Sequence, residues 1–206
     1  MKKPRPVPAS LLYDFILESL AYKSMHDREE EVVQAHRKTF EWVFTDDANR
    51  SSSSITTGAK SGLSTWFAQD TLGPIYWITG KPGSGKSTFM RFLFHHKRTA
   101  KNLQDWAAGS AVQSAGFFFW TSGSREQRSQ TGLLRSLLHQ LLSDNMDLIP
   151  STFPMLWDRL RGMSTKERIL LTLDWSVEEL MNAFHLLLDA ALPAKKICLF
   201  IDGLDE

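Results

Sequence analysis

The run Gly80-Lys81-Pro82-Gly83-Ser84-Gly85-Lys86-Ser87 fits the pattern G-x-x-x-x-G-K-[ST] at every fixed position. Each residue type in it suits the gripping of phosphate. Glycines let successive backbone N–H groups turn inward as a nest for anionic oxygens. The lysine places a point charge against the β- and γ-phosphates, and the serine hydroxyl is a hard oxygen donor for Mg²⁺. At the other end of the chain, Ile197-Cys198-Leu199-Phe200-Ile201 runs into Asp202. An apolar strand ending in aspartate presents one carboxylate at the C-terminal edge of a sheet, where open α/β folds bind their ligands. Asp202 is therefore the second candidate for Mg²⁺, opposite Ser87.

These residues need a strand, a loop and a helix to hold them, and the flanks offer all three in order. Ile75-Tyr76-Trp77-Ile78-Thr79 is short, β-branched and aromatic, and Gly73-Pro74 precedes it, so it is expected to be a buried strand feeding the loop. From Thr88 to Phe94 the chain is apolar on most sides, as a helix between a sheet and other helices would be. The helix start adds its own partial positive charge for phosphate. His95, His96, Lys97 and Arg98 put cations at its far end.

GKPGSGKST followed by CLFIDGLDE resembles the NACHT class of P-loop NTPases within the signal-transducing STAND superfamily, and more closely the nephrocystin-type N-terminal P-loop domain of fungal NLR-like proteins. Supporting stretches are 36–44, 76–78, 117–120 and 132–138, and the likeness covers most of residues 19–206. It implies ATP as the nucleotide and Mg²⁺ as its ion, with Gly80, Lys81, Pro82, Gly83, Ser84, Gly85, Lys86, Ser87 and Thr88 around the phosphates. It also implies a nucleotide-controlled switch that hydrolyses slowly and acts through other protein domains or self-association. Many P-loop ATPases carry glutamate directly after the magnesium aspartate to polarise water. Here Gly203 follows, and the acids stand at Asp205 and Glu206, the candidate catalytic residues.

The rest of the chain sets bounds on this reading. A composition of 42% hydrophobic and 23% charged residues is that of a globular protein. A net charge of +1 gives no electrostatic case for nucleic acid or an anionic membrane. No apolar stretch is long enough to span a bilayer, and Asp14 and Glu18 interrupt the one segment that follows a basic start. A single cysteine, Cys198, excludes an internal disulfide and fits a reducing, cytoplasmic compartment.

Along the chain, residues 1–10 are expected to be a disordered tail, 11–50 an N-terminal helical segment, 51–62 a serine-rich linker and 63–206 a partial P-loop domain. Helices are expected over 11–20, from Asp27 with an Asp27/Glu30 capping box and an apolar face through Val33, His36, Phe40 and Phe44, and over 63–70. Further helices are expected around Leu103 and Trp106, after Ser129, between Pro150 and Leu160, and after Ser176 with Glu179 as its capping partner. Strands are expected at 75–79, 115–120 and in the final apolar run. The fold class is α/β: an incomplete three-layer P-loop sandwich with a mostly parallel sheet, preceded by a helical segment. The resemblance places a sensor strand between the loop strand and the aspartate strand, after Glu206. The chain is thus expected to be a truncated module with backbone groups unpaired in mid-sheet, each costing about 1–3 kcal/mol if buried, and hence of poor autonomous stability.

Three functions remain open on these residues: a nucleotide switch, a non-enzymatic interaction fragment, and a small-molecule kinase. The last has no recognisable acceptor or lid pattern between its motifs. His36 with Phe40, Trp42 and Phe44 is either core or, as the resemblance implies, an adenine-facing surface. Arg125 and Arg128 are either a solvated loop or γ-phosphate contacts.

Overall fold

The computed structural model describes residues 8–32, 39–44, 62–68 and 73–204. It is mixed α/β, mostly helical, with a two-stranded parallel sheet among the described residues. In chain order the elements are α1 (Ala9–Leu20), α2 (Asp27–Glu31), a 3₁₀ turn (Glu41–Phe44), α3 (Leu63–Ala68), α4 (Lys86–His95), α5 (Lys97–Ala107) and β1 (Ala111–Phe118). After β1 come α6 (Gln130–Ser143), α7 (Ile149–Thr152), α8 (Pro154–Gly162), α9 (Thr165–Leu170), α10 (Val177–Ala191) and β2 (Lys195–Asp202).

β1 and β2 pair in parallel from Ala111↔Lys195 to Phe118↔Asp202. Side chains alternate across a strand, so the pair feeds two cores. Ala115, Ile197 and Leu199 join a leucine-rich cluster built from α1, α6, α8 and α10, with Leu138, Leu142, Ile149 and Leu180 fully buried. Val112, Cys198 and Phe200 face a smaller aromatic cluster with Phe44, Phe67, Leu93 and Leu103. Gly116 has no side chain where the Phe94 ring packs, and a Cβ there would sit 3.1 Å from its Cζ. The outer edge of β1 is closed by a side chain. Gly116 N–H donates to Gln140 Oε1 (3.0 Å) and Gln140 Nε2 donates to Gly116 O (2.8 Å), as a neighbouring peptide would.

α1 begins at Ala9, two residues before the expected start, and is more deeply buried than its length suggests: Leu12, Ile16, Leu17 and Leu20 all enter the larger core. Its last carbonyls lack helical donors, and α6 supplies them. Arg135 donates to Leu20 O (3.0 Å), Ser19 O (3.2 Å) and Ala21 O (2.7 Å), while its guanidinium lies over the Tyr22 ring. Trp175 Nε1 also donates to Ser19 O.

Ser129 caps α6 through Gly132 N–H, and Ser176 with Glu179 forms the expected capping box on α10. A second box, Ser164 with Glu167, starts α9. Two expectations differ. α2 stops at Glu31 and has no side-chain cap, and Glu41–Phe44 forms a 3₁₀ turn rather than the end of a longer helix; Val33 and His36 lie outside the described residues. The segment 75–79 has no assigned helix or strand and belongs to no ladder, and Ile75 and Trp77 are 64% and 69% exposed. It keeps the alternation of a strand, with Tyr76 and Ile78 packed on the aromatic cluster. An extended segment becomes a strand only by exchanging backbone hydrogen bonds with a neighbour, and the described sheet offers it none.

Two measurements follow from this packing. Arg135→Ala is expected to lower stability by about 1.5–3 kcal/mol, the range for hydrogen bonds to a charged group. The readout is the urea midpoint at unchanged slope, and Arg135→Lys should not restore it, because an ammonium cannot span three carbonyls as the planar fork does. Burial pushes the Cys198 thiol up to about 12. Since the thiolate is the nucleophile, native protein near neutral pH should react with a disulfide reagent far more slowly than protein in denaturant. Equal rates would contradict the buried placement.

Candidate functional site

The glycine loop is held by what precedes and follows it. Trp66 Nε1 donates to Gly73 O (3.0 Å) and its ring lies 5.6 Å from that of Tyr76, which anchors the approach. Ser84 N–H donates to Lys81 O (3.1 Å), closing a turn. Gly83 (φ +74°) and Gly85 (φ +85°) both adopt the left-handed region. That is where a residue with Cβ is strained, and it is how successive N–H groups come to face one side. A Cβ on Gly80 would approach Ser84 Oγ to 2.7 Å, so the turn is closely wound.

Gly85 is the residue before α4, and no side chain caps that helix start. Its first-turn N–H groups are therefore open to an anion, with the helix dipole behind them. Lys86 folds back over the loop and its Nζ donates to Gly80 O (3.1 Å). Ser87 and Thr88 are half-buried in the first turn of α4. The residues from Gly80 to Ser84 are exposed.

Asp202 is the last residue of β2 and is 6% exposed. Phe119 N–H donates to its carbonyl (3.0 Å), which extends the β1–β2 pairing by one bond. Gly203 then turns the chain with φ +76°. α4 packs on the sheet below Asp202, with the Phe94 and Phe200 ring centroids 5.3 Å apart. The helix bearing Ser87 and the strand bearing Asp202 thus share one core. Asp205 and Glu206 lie outside the described residues.

The donor set suits a triphosphate and its ion. Backbone N–H groups and an ammonium match phosphate oxygens, and a hydroxyl with a carboxylate matches Mg²⁺, which takes one or two protein oxygens and completes its octahedron with phosphates and water. Among the described residues no cluster of three or more His, Cys, Asp and Glu offers an all-protein metal cage. Arg125 and Arg128, after β1, are both exposed.

His95 and His96 do more than place positive charge at a helix end. His95 ends α4 and its Nε2 lies 2.6 Å from Glu29 Oε1. His96 caps α5: its Nδ1 accepts from Arg98 N–H (3.1 Å), and its Nε2 faces Glu41 Oε1 at 3.3 Å. The Nδ1 contact makes His96 the N-terminal cap of α5. Its place between two helical runs was the only available signal. Nothing in the spacing pointed to Glu29 or Glu41.

The sequence profile described as Nephrocystin 3, N-terminal, matches residues 57–206. The chain belongs to that family. This nephrocystin 3 N-terminal region, a NACHT-associated region of NLR-like proteins, takes in the glycine loop, both strands and the helices between them. No curated protein and no solved structure matches the chain. No helix among the described residues of this family member is long and apolar enough to cross a membrane.

The left-handed backbone at position 85 can be tested directly. Gly85→Ala should destabilise the protein by about 1–2 kcal/mol, since nothing lies within 4 Å of the new Cβ and only the backbone objects. Gly162→Ala, equally uncrowded and without a positive φ, is the control. Two variants of equal stability in chemical denaturation would contradict the assigned conformation.

Proposed function

We propose that this nephrocystin 3 N-terminal domain binds a nucleoside triphosphate with Mg²⁺ and serves as a slowly hydrolysing, nucleotide-controlled switch in an NLR-like cytoplasmic signalling protein. One observation carries the reading: two left-handed glycines lead into an uncapped helix start, and a lysine is folded over the same loop. In this reading the N–H groups from Gly83 to Thr88 hold β- and α-phosphate oxygens. Lys86 exchanges its bond to Gly80 O for the β- and γ-phosphates. Ser87 and Asp202 hold the ion, which neutralises charge developing on the phosphates. The finer architecture in this reading is a P-loop sandwich whose sheet holds 75–79 as well as β1 and β2.

ATP rather than another nucleotide comes from the family resemblance. Asp205 and Glu206 are the candidate acids for orienting water in this reading, in a chain with Gly203 where many ATPases have glutamate. Partners in this reading are other protein domains or further copies of the chain, brought together by nucleotide state.

Titration of MgATP into wild type and Lys86→Ala tests the site. Removing charge-assisted contacts worth about 1.5–3 kcal/mol should weaken binding by roughly tenfold or more. Equal affinity refutes the assignment. Phosphate release that disappears in Asp202→Ala identifies a hydrolysing switch. Tight binding without release leaves a nucleotide-gated interaction module.

A further inference from the structure

Two N-terminal stretches, 27–32 and 39–44, are fastened along the helix that begins at the glycine loop. Three residues on one face of α4 and its cap, Phe89, Phe92 and His96, stand at positions i, i+3 and i+7. Phe40, Trp42 and Phe44 meet them in turn. Phe40 lies against Phe89 (5.0 Å between centroids) and Phe92 (5.5 Å). Trp42 stacks on Phe89 with planes 5° apart. Phe44 touches Phe92 (6.0 Å) and stacks on His96 (4.8 Å).

Polar contacts close both ends of the α4–α5 junction. Glu29 holds His95, and Glu41 holds both His96 and, at 3.5 Å, Arg98. Arg91 donates to the carbonyls of Glu30 and Val32. Phe89, where the ring contacts begin, is two residues beyond Ser87. α4 is a rod of about 15 Å, so its two ends cannot move independently.

We infer that residues 27–32 and 39–44 form an intramolecular latch on α4, and that latch closure and occupation of the glycine loop are coupled. Glu29 and Glu41 are positioning residues in it. The coupling follows from one body, α4, carrying both contact sets: whatever fixes its first turn biases its last, and the reverse holds by linkage. The coupling rests on the phosphate-site reading above; the latch itself does not.

The test is amide hydrogen exchange on the full chain, with and without MgATP, for wild type, Lys86→Ala, the double variant Glu29→Gln/Glu41→Gln, and Glu18→Gln as an exposed control on α1. Without nucleotide, the double variant should exchange faster than wild type in peptides covering both 27–44 and 89–96. The expected increase is up to about fivefold per pair lost, with α6 and α10 unchanged and Glu18→Gln matching wild type. Acceleration confined to 27–44 overturns the latch, because those stretches would then be passengers on α4.

With MgATP, wild type should slow in 27–44 and Lys86→Ala should not, while the double variant should bind MgATP several-fold more weakly. Binding that leaves 27–44 unaltered, or full affinity in the double variant, overturns the coupling. If wild type binds no nucleotide, the phosphate-site reading and the coupling fall together, and the nucleotide-free comparison alone decides the latch.

Discussion

The parallel register of Ala111–Phe118 with Lys195–Asp202 is the contact on which the other elements depend. A parallel pair must be covered on both faces, and two strands alone cannot bury enough surface to persist in water. Each strand therefore hands alternate side chains to two helical layers. One is a leucine-rich layer of α1, α6, α8 and α10; the other is an aromatic layer of α3, α4 and α5. The same register sets Asp202 at the C-terminal end of β2 and puts Phe94 of α4 against Gly116 and Phe200. Shifting the pairing by one residue would turn Cys198 and Phe200 toward the leucine layer and place a side chain under Phe94. Position of the carboxylate and position of the loop helix are consequences of one pairing.

Side chains complete what the described sheet lacks. Gln140 gives Gly116 both an acceptor and a donor on the outer edge of β1, as a neighbouring strand would at that residue. Arg135 and Trp175 do the same for the end of α1. The segment 75–79 joins no ladder of the described sheet, and Tyr76 and Ile78 anchor it on the aromatic layer. Its Ile75 and Trp77 face away from that layer and are exposed.

What could be read from the sequence was whatever depends on local spacing. The caps at Ser129 and Ser176 need only a hydroxyl three residues ahead of the right backbone N–H or carboxylate. The final strand is a continuous apolar run bounded by Pro193 and Asp202. The Ser164/Glu167 box has the same local spacing. By contrast, β1 begins at Ala111 rather than Ala115 because Lys195 to Cys198 lie opposite, and that partner is more than eighty residues away. The burial of α1 is likewise fixed by α6 and Trp175, far along the chain. Candidate site residues divide in the same way. The loop from Gly80 to Thr88 stands out as a candidate because its residue spacing is local. Glu29, Glu41 and the capping nitrogen of His96 do not, because their partners come from elsewhere in the chain.

The two cores differ in what holds them, and this bears on which can move. The leucine layer rests on α6 and α10, helices of 14 and 15 residues that interlock directly. The aromatic layer is assembled from α3 with six residues, a four-residue 3₁₀ turn, and α4 with ten. Helices that short do not sustain themselves in water, so their arrangement rests on ring contacts and on a few surface ion pairs of modest strength. Local opening draws on the least cooperative parts of a fold. The glycine loop is attached to that softer layer, while Asp202 belongs to the strand that both layers clamp. A ligand gripped by the two together would have one fixed anchor and one adjustable one, and in the proposed coupling this asymmetry would carry binding to Glu29 and Glu41 while the leucine core stays as it is.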